Sequence, residues 1–394
     1  MISVGEAKGI ITQHVFALAK KNTVPLADCL GFTLAEDVFA PLDLPPFNQS
    51  NVDGYAVRDL ESKTWKVVGE VKAGDNCKIE LKEDEALRIF TGAMVPAGSD
   101  CVIMQERITR VGDRIQFTET ELKAGEHIRK AGAQIKKGAL ALPQGTVINP
   151  AILGFLSGLG LAEVVVYAKP KITLIVTGNE LQTVGSDLER GKVYESNSFA
   201  LQGALQMMGL KVDAVHFVKD EKEKLNTCVA KAIVDADLLL VSGGISVGDY
   251  DFVKEVMDEN KTETLFYKVA QKPGKPLYFG KNKNCFVFGL PGNPASALTC
   301  FYEYVYPTLR IMQGKESMFL NSMELPILKN ITKKKGLAHF LKAEITYNGV
   351  MPLQGQESFI MKSMAGAGAF IYLPADKEDV STGELGEVHV LPNL

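Results

Sequence analysis

The sequence lacks most of the features that would mark a specialised environment. Six cysteines, Cys29, Cys77, Cys101, Cys228, Cys285 and Cys300, occur in 394 residues, and no two stand in C-x-x-C spacing. Neither a zinc ribbon nor a dithiol redox pair is signalled. Runs such as Cys285-Phe286-Val287-Phe288 read instead as small apolar core positions. The five histidines, His14, His127, His216, His339 and His389, form no metal-ligand spacing. A charge excess is missing too: 43 basic against 47 acidic side chains leaves a net charge of −4. Without a broad basic surface to neutralise phosphates, nucleic acid is excluded as the main partner. The one strongly basic run, Lys333-Lys334-Lys335, reads as a solvated turn between strands. No long apolar run is present either. The longest, 151–168, is broken by glycines and Glu163, and reads as a buried helix followed by the strand 164–167, not a membrane span. The amphipathic N-terminus carries no signal-peptide pattern, so a reducing cytoplasm is the expectation.

What is present is ordinary globular material, 46% hydrophobic and 23% charged. At about 100–200 residues per domain, the length suggests several domains. Ser3 and Glu6 stand as a capping box. Val4, Ala7, Ile10, Ile11, Val15 and Leu18 follow at helical spacing, with Lys20-Lys21 at the C-terminal end of the dipole. The Pro-rich segment 43–47 breaks this pattern, and strand-like runs at 65–71 and 101–104 mark an inserted β-rich domain over 43–135. Residues 1–42 with 136–167 form an N-terminal helical and linker domain. From 168 to 318, continuous apolar strands near 172–176, 212–218, 238–241, 264–269 and 285–290 alternate with helices near 198–208, 222–235, 250–258 and from 295. Strands buried on both faces and alternating with helices predict a doubly wound, mostly parallel sheet. Residues 319–394 read as short strands without a strong helix, a small β-barrel or sandwich. The expected class is a multi-domain α/β protein.

In open α/β sheets, ligands bind beyond the carboxyl ends of the strands. Three such ends carry glycine-rich loops here: Thr177-Gly178-Asn179-Glu180; Ser242-Gly243-Gly244-Ile245-Ser246-Val247-Gly248-Asp249; and Gly289-Leu290-Pro291-Gly292-Asn293-Pro294. Glycines let the backbone approach an oxyanion, and the helix starts that follow add partial positive charge. One such loop is only a tight turn; three at successive strand ends point to an anion site. Lys268, Lys272 and Lys275, the latter two in a Pro- and Gly-stiffened loop, add cations. Glu180, Asp220, Asp249 and Asp251 add acids near the same strand ends, and carboxylates beside phosphate suggest a bridging Mg²⁺. Asp249 serves equally as a helix cap and Asp220 as a helix-start residue. Gly244-Ile245-Ser246-Val247-Gly248 also matches the GxSxG nucleophile elbow, with Asp379 and His389 in the right chain order for a serine hydrolase. That reading lacks an HGGG-type oxyanion segment. A P-loop fails because Val193 follows Gly191-Lys192, and a dinucleotide fingerprint fails because Glu163 stands where glycine is needed after Gly158 and Gly160.

Taken together, the loops at 177–181, 242–251, 272–276 and 290–294 resemble the molybdopterin molybdenumtransferase family, to which MoeA and the gephyrin E domain belong. Upstream, Asp53-Gly54-Tyr55-Ala56 and Phe90-Thr91-Gly92-Ala93 with Pro96-Ala97-Gly98 resemble that family's motifs as well. The resemblance implies a reaction in which adenylylated molybdopterin and molybdate give molybdenum cofactor and AMP, with Mg²⁺. It implies catalytic roles for Asp53, Thr91, Glu180, Asp220, Asp251, Lys268 and Lys272, with Glu180 and Asp251 holding the metal. It implies that Thr177, Gly178, Ser242, Gly243, Gly244, Ser246, Gly248, Asp249, Lys275, Pro291, Gly292, Asn293 and Pro294 cradle the ligand. It further implies a homodimer in which the C-terminal domain of one subunit faces the sheet domain of the other, with a molybdopterin adenylyltransferase and acceptor apoenzymes as further partners. Alternatives are a non-catalytic molybdopterin-binding scaffold and the serine hydrolase. Three positions depart from the family pattern: Gln134 replaces an acid, Leu337 follows Gly336 where relatives often carry Arg, and Gly366-Ala367-Gly368 lacks an Arg and an Asn.

Overall fold

The computed structural model describes residues 1–119, 121–245 and 252–392. The chain forms two compact units: Met1–Asn22, Gly31–Thr33 and Val166–Leu394 make one, and Thr23–Leu30 with Leu34–Val165 the other.

The first unit is built on a six-stranded sheet. Its spatial order is Ala214–Val218, Ile172–Thr177, Leu238–Ser242, Cys285–Leu290, Tyr278–Asn282 and Glu263–Tyr267. The first four strands run parallel; the fifth is antiparallel to them, and the sixth, antiparallel to the fifth, runs in their direction again. The period-two geometry of a strand explains why the central ones are apolar throughout. Leu174, Val176, Leu238, Leu240, Phe286 and Phe288 face one core, shared with the helices Val4–His14 and Asn197–Met207. Ile175, Leu239, Val241 and Val287 face the other, shared with Lys222–Asp235 and Phe252–Glu259. Helices thus cover both faces, and every parallel connection leaves its loop at the same edge.

The first helix begins as its sequence requires. Ser3 Oγ accepts from the Glu6 amide, and the Glu6 carboxylate accepts from the Ser3 amide at 2.7 Å. It is shorter than its apolar spacing predicts, ending at His14. Val15 adopts extended geometry and is buried in the same core, and the Leu18 amide donates to the Met312 carbonyl at 2.9 Å. A tertiary hydrogen bond has replaced a helical one.

The helical run Pro294–Met312 widens into a π turn at Phe301–Val305. Pro307 has no N–H to offer the carbonyl four residues back, and the wider turn accommodates that loss. It also carries Glu303 into the interior, only 2% exposed.

After residue 320 the chain forms an antiparallel sheet in the order Ala338–Thr346, Ala369–Leu373, Leu385–Val390, Ser322–Pro326. The short strand Gln271–Lys272 joins its edge in parallel, with Lys272 opposite His339. One five-residue helix, Met361–Ala365, interrupts the strands. Lys333 is not the solvated residue its basic run suggested. It is 6% exposed, and its ammonium donates to the Leu337 and Ala375 carbonyls at 3.0 and 3.3 Å, pinning the turn before Ala338.

The second unit holds another six-stranded sheet: Cys101–Met104, Gly54–Val57, Glu85–Ile89, Thr64–Val71, Arg114–Phe117 and Ile108–Val111. Its alternating residues build two cores, one around Trp65, Tyr55 and Ile103 and the other around Leu87, Ile89 and Val102. Trp65 is fully buried, and its indole N–H donates to the Arg58 carbonyl at 2.7 Å. The helix Pro150–Gly158 is less enclosed than its composition suggested, with Leu156 its one fully buried residue.

Candidate active site

Three parallel strands, Ile172–Thr177, Leu238–Ser242 and Cys285–Leu290, end side by side and open into one cavity of about 610 Å³. Thr177, Glu180, Asp220, Ser242, Gly243, Gly244, Gly292, Asn293 and Pro294 all line it. The glycines are needed for contact between loops. Gly243 has φ +92°, and a Cβ there would lie 2.1 Å from the Thr177 carbonyl oxygen. Its amide donates to the Leu290 carbonyl at 3.2 Å, and Gly292 lies against its Cα. The first and second loops can be this close only because Gly243 carries no side chain.

Asp220 is held from two directions. Its carboxylate accepts from the Thr177 hydroxyl and from the Asn179 amide at 3.3 Å, and its own amide donates to Asn179 Oδ1 at 3.2 Å. Asn179 is tied further by Lys192, whose ammonium donates to its carbonyl. The first loop and the start of the helix Lys222–Asp235 are therefore one hydrogen-bonded piece. Glu180 lies on the exposed lip of the cavity. Gly178 is half-buried behind it, packed against Leu181. Ser246, Gly248, Asp249 and Asp251 lie outside the described residues, so the acid expected to share a metal with Glu180 does too. Among the described residues no three His, Cys, Asp or Glu side chains cluster as a metal centre. Mg²⁺ needs only one or two carboxylates beside phosphate oxygens, and Glu180 at the cavity lip fits that demand.

The lysine loop forms a neighbouring cavity of about 310 Å³, lined among others by Lys272, Lys275, Pro291, Asn293, Leu337 and Ser358. Asn293 lines both cavities and joins them. Gln271 builds this loop from inside. It is fully buried, accepts from the Tyr304 hydroxyl, and donates to the Pro273 and Gly274 carbonyls at 3.0 and 3.3 Å. Pro273 follows a cis peptide, and Gly274 has φ +83°, with Cys300 Sγ where its Cβ would be. The result is a buried loop backbone with the side chains of Lys272 and Lys275 exposed. His339, opposite Lys272, is pushed down to about 4 by burial and by the charges of Lys333 and Lys272, so it is neutral at pH 7. Lys268 lies over the Tyr267 ring and lines neither cavity.

Several participants carry no motif signal. Ser358 reaches from the C-terminal part of the same chain to the third loop. It accepts from Asn293 Nδ2 at 2.9 Å, and its carbonyl accepts from the Ala295 amide at 3.1 Å. Phe359 beside it lines the larger cavity. Asn197 joins the second and third loops: its Nδ2 donates to Ser242 Oγ and to the Gly292 carbonyl, both at 2.9 Å. A lone Asn at a helix start or a lone Ser in a loop is too common to single out from sequence.

Asp53 and Thr91 meet in the second unit. The Asp53 carboxylate accepts from the Thr91 amide at 2.7 Å and its hydroxyl at 2.8 Å, and these bonds hold its pKa below the usual carboxylate value. Gln134 is exposed there, with its amide on the Leu44 carbonyl. His389, the base required by the serine-hydrolase alternative, has its ring nitrogens on Glu303 at 2.7 Å and Glu387 at 3.0 Å. Neither nitrogen is left for a serine.

Comparison with known proteins agrees with this architecture along the whole chain. Residues 2–160 match the MoeA N-terminal region (domain I and II), 173–311 a probable molybdopterin binding domain, and 324–391 the MoeA C-terminal region (domain IV). A molybdopterin molybdenumtransferase of Haemophilus influenzae is 35% identical over 98% of this chain and 97% of its own. One from Staphylococcus epidermidis is 32% identical over 98% and 95%. The crystal structure of a molybdopterin biosynthesis MoeA protein from Pyrococcus horikoshii superposes with a TM-score of 0.84 at 31% identity, covering 99% of each chain. With family models matching its N-terminal, central and C-terminal parts and relatives 32–35% identical over nearly its whole length, the chain belongs to the molybdopterin molybdenumtransferase family.

Proposed function

We propose that this chain inserts molybdate into adenylylated molybdopterin and releases AMP, giving molybdenum cofactor. The observation that carries the reading is the meeting of three glycine loops in one cavity, joined through Asn293 to the cavity of Lys272 and Lys275. Backbone N–H groups at Gly244 and Gly292 suit a phosphate, because no side chain stands between them and the ligand. Asp220, locked by Thr177 and Asn179, orients the reacting groups. Lys272 and Lys275 neutralise the oxyanion, and Lys268, which lines neither cavity, joins the set by its motif alone; one pair of opposite unit charges at 4 Å is worth about 4 kcal/mol at an effective dielectric near 20. Mg²⁺, held by Glu180 and Asp251, supplies charge neutralisation on the phosphates when bound. Asp53, with its carboxylate set by Thr91, belongs to the same functional set by its motif.

The working form in this reading is a cytoplasmic homodimer with a composite site, served by an adenylyltransferase and by acceptor apoenzymes. Its subunit divides at 1–42 with 136–167, 43–135, 168–318 and 319–394, the last a small β-barrel. The test is AMP release from adenylylated molybdopterin with and without molybdate. Molybdate-dependent release is expected. Binding without release would identify a scaffold instead.

A further inference from the structure

In the strand Ala338–Thr346 a lysine stands where the pattern calls for an apolar residue. Phe340 and Lys342 share a face by the two-residue period, and Phe340 is buried in the core. Lys342 follows it inward and is 2% exposed. Its ammonium meets carbonyls there: it donates to those of Glu357 and Ile360, both at 3.1 Å. Burial holds its pKa below the usual lysine value, against the charge of Glu357. Taking an ammonium out of water is costly, and a residue that breaks the local pattern at that cost points to function. The two carbonyls bracket Ser358 and Phe359, and the first belongs to the peptide that leads into Ser358. Gln356 ties the same turn to Lys342, accepting from its amide at 3.0 Å and donating to its carbonyl at 2.8 Å. On its other side Ser358 meets the third glycine loop, through Asn293 Nδ2 and the Ala295 amide, and it lines the cavity of Lys272 and Lys275.

We propose that Lys342 is a positioning residue: its ammonium fixes the peptide entering Ser358, and so sets Ser358 at the wall of the cavity where Lys272 and Lys275 hold the oxyanion. The inference rests on the function proposed above and adds a residue that lines neither cavity. Lysine suits the task because an ammonium offers three donors and no acceptor, so two carbonyls can converge on it. Methionine in its place would keep the apolar stem and leave both carbonyls without that donor.

The test is a double-mutant cycle on steady-state AMP release from adenylylated molybdopterin, with molybdate varied. Its four proteins are the wild type, Lys342→Met, Ser358→Ala and the two substitutions together. Melting temperature checks that each is folded, and Lys342→Gln takes the place of the methionine variant if that one is not. Alone, Lys342→Met should raise the KM for molybdate about tenfold or more while kcat stays within about threefold. With Ser358→Ala already present, the same substitution should change KM by less than about twofold, because the side chain it acts through is gone. An equal factor in both backgrounds would show that Lys342 supports the fold and not Ser358, and would overturn the proposal. So would an unchanged KM for Lys342→Met alone. Without molybdate-dependent AMP release in the wild type the proposed function falls, and this inference with it; release with equal factors removes this inference alone.

Discussion

Gly243 shows what a single missing side chain does. At φ +92°, with the Thr177 oxygen 2.1 Å from any Cβ, alanine must both strain the backbone and push two strand ends apart. Gly243→Ala should cost roughly 3 kcal/mol, in the upper range for a single substitution. The urea midpoint reads it; an unshifted midpoint would mean the loops are not in contact. Lys272 acts through charge, not packing: its side chain is exposed on a buried loop that Gln271 holds. Lys272→Ala should leave the melting temperature nearly unchanged and lower kcat/KM at limiting molybdate by about tenfold or more, equivalent to ~1.4 kcal/mol. Identical kinetics would remove this lysine from the oxyanion site. Lys272 was legible because a Pro- and Gly-stiffened pair of lysines is unusual. Asn197 and Ser358 were not, because their importance lies in partners 45 to 95 residues away for one and 65 for the other.

At the scale of elements, the least legible feature is the buried charge cluster that joins three of them. Lys8 on the first helix donates to Glu303 at 2.6 Å, and His389 on the strand Leu385–Val390 pairs with the same carboxylate at 2.7 Å. Burial alone would raise the Glu303 pKa, but the hydrogen bond from His389 and the charge of Lys8 outweigh it and hold the carboxyl below its usual value. Burial alone would lower His389, but the hydrogen bond and charge of Glu303 outweigh it and raise the imidazole above 6.5. Tyr372 stacks on the ring, Glu387 faces its other nitrogen, and Phe340 packs alongside.

The sign of the pH dependence follows from these directions. The raised histidine stabilises fully below its unfolded value of 6.5 and loses that contribution as pH climbs through its folded pKa. The depressed glutamate stabilises above 4.5 and loses its contribution as pH falls through its folded pKa. The cluster contributes most between pH 4.5 and 6.5. Melting temperature measured from pH 5 to 9 should fall on the alkaline side in the wild type and be flatter there in His389→Gln. Parallel curves would show that His389 does not titrate with folding. Isolated histidines gave no spacing signal, since Lys8, Glu303 and His389 meet only when helix, π turn and strand have packed.

For the whole molecule, the proposed composite site makes assembly measurable. Sedimentation at micromolar concentration should give an elongated dimer, and a fully active monomer would refute the composite site. The residues of this chain determined much by themselves. Continuous apolar strands between amphipathic helices required a sheet covered on both faces, since such strands have no polar side to give to water. Glycine loops at three strand ends pointed to one shared cavity, and they open into one; Ser3 with Glu6 set where the first helix starts. The tertiary structure alone decided where that helix stops, because the Leu18 amide finds its partner in the Met312 carbonyl. It decided that Lys333 is buried, because two backbone carbonyls outbid water for its ammonium group. It also decided that Asn197 is left with an unpaired acceptor, because Gly292 presents a carbonyl that only the amide nitrogen can meet. Local pattern dictates which face is apolar and where a turn must be tight; partners for polar groups are settled only when distant segments meet.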